Sequence, residues 1–424
     1  MKASRRAVAL DSPIGSAAAR KTTQATLRAV LVALATALFG VCAALAVVTV
    51  RVARRVVMPA ARAVDTRILD VDVAAQTITL TRTPDTVLPG RYGLFTTGAA
   101  DYLKIGSVLS SDERGVKRKL LTEVEGDMHL AAEAAFSGWY FRRPEELHLP
   151  FTEEHVHAAV GSCPAWLFPA PESGDARAAD GPGDAGETWV IQIHGRGTTR
   201  SECLRAVPVF HALGITSLVV SYRNDGDAPR TRTGSYALGA TEWRDVDAAI
   251  GWARRRGAER IILMGWSMGG AIALQVALGS AHREHVAGLI LDSPVVDWRT
   301  VLAYQGRALG LPAPVTGLAI ETLKADWAAP ATRSERGIPF ERLDIVARAG
   351  ELQHPILLLH SDDDGFVPSS ASHALAEARP DLVELQTFST ARHTKLWNYD
   401  QKRWTDAIDD WVRRHGFAAQ EVAS

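Results

Sequence analysis

Residues 260–279 read RIILMGWSMGGAIALQVALG. The first part, 260–266, is a short apolar run with the character of a buried strand. The last part, 268–279, is a run of small and aliphatic residues with that of a helix. Between them Gly265-Trp266-Ser267-Met268-Gly269 has the spacing G-x-S-x-G. A serine at such a strand-to-helix junction stands on a tight turn that lifts its hydroxyl above the sheet. Positions 265 and 269 then need glycine, because backbone packs against both. Without that junction the pattern would be weak in a chain with 34 glycines.

The sequence around it repeats the alternation. TWVIQIHG (188–195), ITSLVVSY (215–222), VAGLILDSP (286–294), HPILLLHSD (354–362) and VELQTFS (383–389) read as strands. Helical stretches fall at 202–213, 240–256, 370–378 and 402–415. Val/Ile/Leu strands without a polar face, separated by helices, imply an α/β fold with a mostly parallel sheet covered on both sides. This domain occupies 140–416, with an insertion at about 296–350 that carries Trp298, Leu309, Leu318, Ile320 and Trp327. ESGDARAADGPGDAGE (172–187) reads as a surface loop. Ahead of the domain, 65–125 reads as a small β-rich module, with strands at 68–73, 77–83, 102–110 and 116–124. It holds no chemical motif and is expected to be a spacer or a packing unit.

On these residues the chain resembles the α/β-hydrolase superfamily of serine hydrolases, over roughly 155–416. The resemblance implies a nucleophile, an acid and a base in that chain order, with Ser267 as nucleophile. The family pattern H-G-x-x-D-x-x-V-P, laid on 360–368, selects Asp364 as the acid, with Ser361 where glycine is usual. Asp362 and Asp363 are then loop-capping or solvated, and Asp292, after the strand VAGLIL, is the alternative acid. The base falls on His393, in the loop after the last strand. Its imidazole can take the serine proton and return it to a leaving group, while the acid holds the ring in the right tautomer. An oxyanion hole takes one backbone N–H from Met268 and another from His194-Gly195-Arg196-Gly197, with Arg196 first and Gly197 as fallback. His194 braces that loop. Trp266 and Tyr222 are expected beside the substrate, with loop packing as the other reading of Tyr222. In such relatives the insertion forms a cap whose apolar underside holds an acyl or aryl group, or else a helical hairpin that completes the core. The triad supplies nucleophile and proton transfer, so no cofactor or metal is implied. His155 and His157 lack a third ligand nearby and read as an exposed strand.

The N-terminal head has a different character. Residues 29–50, AVLVALATALFGVCAALAVVTV, are 22 residues without a charge, flanked by Arg28 and by Arg51, Arg54 and Arg55. A helix of that length spans about 33 Å, enough for a bilayer core. The run is too long and starts too late for a cleaved secretory signal, so 1–28 reads as a basic tail and 29–50 as a membrane anchor. Both flanks are basic, and the expected topology puts the short tail in the cytoplasm and the body outside. Residues 1–62 hold ten Lys/Arg against one acid, although the whole chain of 424 residues has a net charge of −1. The rest is therefore acidic, which speaks against nucleic acid as a partner. At 47 % hydrophobic and 22 % charged the chain is neither disordered nor collagen-like. Three cysteines make no disulfide framework, and Cys163 and Cys203 read as unpaired thiols.

Together these readings predict a membrane-anchored serine hydrolase acting on a small-molecule or lipid ester. A peptidase or amidase of the prolyl-oligopeptidase or aminopeptidase type, or an acyltransferase, would use the same triad. A non-catalytic scaffold would need none of it.

Overall fold

The structure is a computed structural model and describes residues 14–59, 62, 64–96, 102–125, 131–171 and 187–418. Helix α1 (Ile14–Val57) leads into strands β1 (Thr66–Asp72), β2 (Thr77–Leu80), β3 (Tyr92–Thr96), β4 (Tyr102–Ser111), β5 (Val116–Leu120) and β6 (Glu133–Ser137). These six close into an antiparallel barrel in the order β1-β2-β5-β4-β3-β6, which leaves no unpaired sheet edge. Ile78, Leu80, Leu94, Leu103, Ile105 and Phe136 fill it. The barrel runs past residue 125, where the sequence reading ended the module. Its closing strand EAAFS is too short and too rich in alanine to show a period of two. Arg118 is fully buried and donates to the carbonyl oxygens of Thr86, Leu88, Gly90 and Gly106. Burial pushes its guanidinium down to about 10, so it stays charged at neutral pH.

The larger unit contains β7 (Thr152–Ala158), β8 (Gly161–Phe168), β9 (Glu187–Ile193), α2 (Val207–Ala212), β10 (Thr216–Val220), α3 (Trp243–Arg254), β11 (Ala258–Trp266), α4 (Met268–Gly279) and β12 (Val286–Asp292). Then come α5 (Trp298–Ala308), α6 (Ala313–Lys324), α7 (Ala329–Thr332) and α8 (Phe340–Leu343) in the inserted segment. The chain closes with β13 (Ile356–Ser361), α9 (Ser370–Ala378), β14 (Val383–Phe388), α10 (Leu396–Tyr399) and α11 (Gln401–Arg414). The eight strands form one sheet in the order β14-β13-β12-β11-β9-β10-β8-β7. Only β7 and β8, at one edge, are antiparallel to their neighbours. In the centre Leu263 of β11 pairs with Ile191 of β9 and with Leu289 of β12. The aliphatic strands are buried on both faces: Leu263, Leu291 and Leu358 pack into one core layer, and Ile262, Ile290 and Leu357 into the other.

Helix α1 starts well before the apolar run of 29–50. Its portion from Lys21 to Val57 is long and apolar enough to cross a membrane by length and composition, and no residue of its most apolar window is buried in the protein. Its C-terminal end is not. Ala53 and Val57 are fully buried in the core of the larger unit, and the helix packs on α6 and α7. Arg54 Nε donates to the Ala331 carbonyl at 2.6 Å, and the Val57 carbonyl accepts from Tyr236 N–H at 2.8 Å. The tail before residue 14 and the loop expected at 172–187, apart from its last residue, lie outside the described residues. Cys42, Cys163 and Cys203 are free thiols.

Candidate active site

Ser267, Asp364 and His393 follow β11, β13 and β14, at the carboxyl edge of the sheet where α/β folds bind ligands. Ser267 is the junction residue and adopts φ 52° and ψ −115°, outside the regions open to most side chains. The turn is held from both sides: Ser267 N–H donates to the Asp292 carbonyl, and the Ser267 carbonyl accepts from Val295 N–H, each at 3.0 Å. A Cβ on Gly265 would strike the Gly269 carbonyl, and one on Gly269 would strike the carbonyls of Ile193 and His194. Gly269→Ala is therefore expected to cost about 3 kcal/mol, since backbone must move rather than a side-chain tip. Urea unfolding of the detergent-solubilised protein checks this, and an unchanged midpoint would contradict it.

His393 Nε2 lies 3.0 Å from Ser267 Oγ, and His393 Nδ1 lies 2.6 Å from Asp364 Oδ2. A carboxylate only accepts, so Nδ1 carries the proton and Nε2 turns its lone pair to the hydroxyl. Asp364 Oδ1 accepts from the N–H groups of Phe366 and Val367, both at 2.8 Å. Burial by itself would raise the Asp364 carboxyl. Attraction to His393 and hydrogen bonds with His360 and His393 outweigh it and hold the group well below the ordinary carboxylate range. Such a line can deprotonate a hydroxyl as it attacks a carbonyl and stabilise the imidazolium that results.

Asp292 lies outside this line. Its Oδ2 accepts from Trp404 Nε1 and its Oδ1 from Ser293 Oγ, both at 2.9 Å, and burial raises its carboxyl. Asp363 and Ser361 instead tie the acid loop to the His393 loop. Asp363 Oδ1 accepts from Arg392 N–H at 3.0 Å, and Ser361 Oγ accepts from Ala391 N–H at 2.9 Å. Ser361 thus acts as a bracket between the two loops. Asp362 bonds to His373 and Ser369 at the surface.

As the first residue of α4, Met268 has an N–H outside the helical ladder, at a helix end that favours negative charge. The turn after β9 lies against Ser267: a Cβ on Gly195 would be 3.3 Å from Ser267 Cβ. Gly195 N–H is already spent on Glu202 Oε2, at 2.9 Å, and Gly197 N–H faces the Tyr236 hydroxyl, which leaves the N–H of Arg196 as the candidate donor of that turn. The Arg196 side chain points away, to the end of α1, where Nη2 donates to the carbonyls of Arg55 and Met58, each at 2.7 Å. His194 is stacked on Tyr222 with ring centroids 4.2 Å apart and bonds to Asp225 Oδ2 at 3.0 Å.

The two residues expected beside the substrate are elsewhere. Trp266 is fully buried, on the same strand face as Ile262 and Met264, because the period of two directs it into the core. Tyr222 is fully buried as well, and its hydroxyl donates to the His194 and Gly195 carbonyls, supporting the turn from beneath. Phe366 takes the exposed position. It is 43 % exposed with its ring 5.2 Å from the His393 ring, and its carbonyl accepts from Gln305 of α5. The sequence marked it only as an unspecified residue between Asp364 and Val367. Glu202 has no motif of its own and is revealed by contacts alone.

A family model described as "Alpha/beta hydrolase family" matches residues 190–408, more than half of the chain. The chain belongs to the alpha/beta hydrolase family. A second model, for a domain of unknown function, matches residues 67–137, the barrel of this hydrolase. The hydrolase is 25 % identical over 178 residues to a monoacylglycerol lipase of Mycolicibacterium smegmatis. That alignment covers 36 % of this chain and spans 62 % of the lipase. Among solved structures, an esterase of Pyrococcus furiosus is similar at 15 % identity and TM-score 0.48, covering 64 % of this chain and 96 % of the esterase. An acylaminoacyl peptidase of Pyrococcus horikoshii is similar at 13 % identity and TM-score 0.48, covering 85 % of this chain and 57 % of the peptidase.

Proposed function

We propose that this hydrolase is a membrane-anchored serine esterase that cleaves carboxylic esters of lipophilic acids. The observation that carries the reading is the hydrogen-bonded line Ser267–His393–Asp364, with the serine at a strained positive φ. Ser267 Oγ attacks the ester carbonyl while His393 Nε2 takes its proton. Asp364 keeps His393 oriented and stabilises its charge. The N–H groups of Met268 and Arg196 hold the oxyanion. His393 then returns the proton to the departing alcohol, and water, deprotonated by the same imidazole, releases the acid from Ser267.

The bare apolar stretch of α1 supports the anchor. Leu309, Leu318 and Trp327 of the inserted segment, each more than half exposed, support a lipophilic substrate, as does Phe366 beside His393. Helix α6 packs on α1, so this segment sits beside the helix that would enter the bilayer. The similarity to a monoacylglycerol lipase points the same way.

Turnover of p-nitrophenyl esters and of a monoacylglycerol by detergent-solubilised protein, against the matching anilides, tests the reaction. Ester hydrolysis is expected to dominate, and hydrolysis of anilides alone would overturn the esterase reading. The anchor has its own test. The protein is expected to stay with membranes through high-salt and alkaline washes and to leave with detergent. A chain beginning at residue 51 should no longer pellet with membranes. Release of the full chain by salt would contradict the anchor.

A further inference from the structure

His393 stands between two residues in the left-handed region, Arg392 at φ 63° and Thr394 at φ 51°, neither of them glycine. Backbone of this kind persists only where surrounding contacts over-determine it. Part of what holds it comes from within the hydrolase unit: Arg392 Nη1 donates to the Asp363 carbonyl at 2.9 Å, and Arg205 donates to the Thr394 carbonyl at 2.8 Å. Asp363 Oδ1 and Ser293 Oγ also accept from the N–H groups of Arg392 and Thr394, each at 3.0 Å, and a further hold comes from the barrel. Asp85 Oδ1 lies 3.3 Å from Arg392 Nε and 3.6 Å from Lys395 Nζ, so one barrel carboxylate bridges cations on both sides of His393. A few residues on, Arg91 N–H donates to the Asn398 carbonyl at 3.3 Å, and Asn398 Nδ2 donates back to the Arg91 carbonyl at 2.8 Å.

The barrel loop that makes these contacts is itself fixed. Thr86 Oγ1 donates to the Thr81 carbonyl at 2.7 Å and accepts from Thr83 N–H at 2.8 Å, which closes the turn around Asp85. The buried Arg118 grips the same loop by the carbonyls of Thr86, Leu88 and Gly90. Gly90 has φ 98°, and a Cβ there would overlap the Asn398 carbonyl, so the two segments are in backbone contact.

We propose that the β-barrel is a clamp on the loop that carries the base, with Asp85 as the positioning residue that holds Arg392, and through it His393, in line with Ser267. The barrel thereby has a part in the chemistry although it offers no group to the substrate. Asp85 is half-buried and its pairs remain open to solvent on one side, where ion pairs contribute little to stability in general. What Asp85 supplies is the register of an imidazole whose usefulness falls off steeply with displacement. This inference rests on the serine-hydrolase reading above.

The test uses the full chain in detergent, with Asp85→Ala, Asp85→Glu and, as a control, Gln401→Ala. The control removes the bond from Arg91 to α11, a barrel contact that does not involve the His393 loop. Each form is assayed for kcat and KM on a p-nitrophenyl ester and for its rate of labelling by a fluorophosphonate. Asp85→Ala is expected to lower kcat and the labelling rate together by about tenfold to a hundredfold, with KM unchanged and the thermal midpoint kept. Asp85→Glu should recover part of the loss, and Gln401→Ala should match the wild type. If Asp85→Ala labels and turns over like the wild type, the clamp is wrong and the hydrolase reading stands. If the wild type itself neither labels nor turns over, the hydrolase reading falls and the clamp with it. A loss of kcat shared equally by Asp85→Ala and Gln401→Ala would reduce the barrel to general support and overturn the specific role of Asp85.

Discussion

Replacing Ser267 or His393 with alanine is expected to lower ester turnover by about 10⁴-fold or more, and the double replacement should be hardly worse than either single one. The reason is that in the proposed reaction the two side chains do one job. Without the imidazole 3.0 Å away the hydroxyl is a weak nucleophile, and without the hydroxyl the imidazole has nothing to activate. Both groups sit at the edge of the sheet and fill no core, so the fold should survive. Steady-state kinetics on the detergent-solubilised protein, with thermal midpoints alongside, checks both statements. Independent, additive losses would mean that the two residues do not act as a unit.

Asp364→Asn and Asp292→Asn are expected to differ widely. An asparagine at 364 can still accept from Phe366 and Val367 N–H through Oδ1. Its amide then turns a donor toward His393 Nδ1, which moves the ring proton to Nε2 and removes the lone pair that faces Ser267. That wrong tautomer costs about 10⁴-fold in kcat in enzymes with this arrangement. Asp292 has its partners in Trp404 and Ser293, and its amide should leave kcat within about threefold. Stability gives a second readout for Asp364. Its carboxyl is held low in the folded state, so its contribution is present above the unfolded value of about 3.9 and is lost as pH falls further. The difference in stability between wild type and Asp364→Asn should therefore narrow below about pH 4. An Asp292→Asn variant as inactive as Asp364→Asn would reverse the assignment of the acid.

Much of this was legible in the sequence, for a physical reason. Strands buried on both faces are continuous aliphatic runs, and a serine hydroxyl can be raised at a sheet edge only between residues without side chains. Hence β9 to β13 and the 265–270 turn could be read directly, whereas β14 (VELQTF) is a half-buried edge strand with a weaker pattern. Asp364 and His393, 29 residues apart, were placed by resemblance, and the structure brings them within 2.6 Å. What failed was direction. Trp266 follows strand alternation into the core, although it is adjacent to Ser267. Tyr222 turns under the Gly195 loop, since a phenol with two carbonyls in reach is satisfied there. The barrel was under-read because its third and sixth strands, YGLFT and EAAFS, carry too little alternation. Its hold on the His393 loop had no local signal at all: Asp85 and Arg392 are 307 residues apart.

The most direct measurement is labelling of membranes that contain the full chain by a fluorophosphonate, with the modified residue located by mass spectrometry of the peptides. The account predicts one adduct, on Ser267, in the wild type and none in Ser267→Ala or His393→Ala. An adduct on another serine, or labelling that persists without His393, would contradict it.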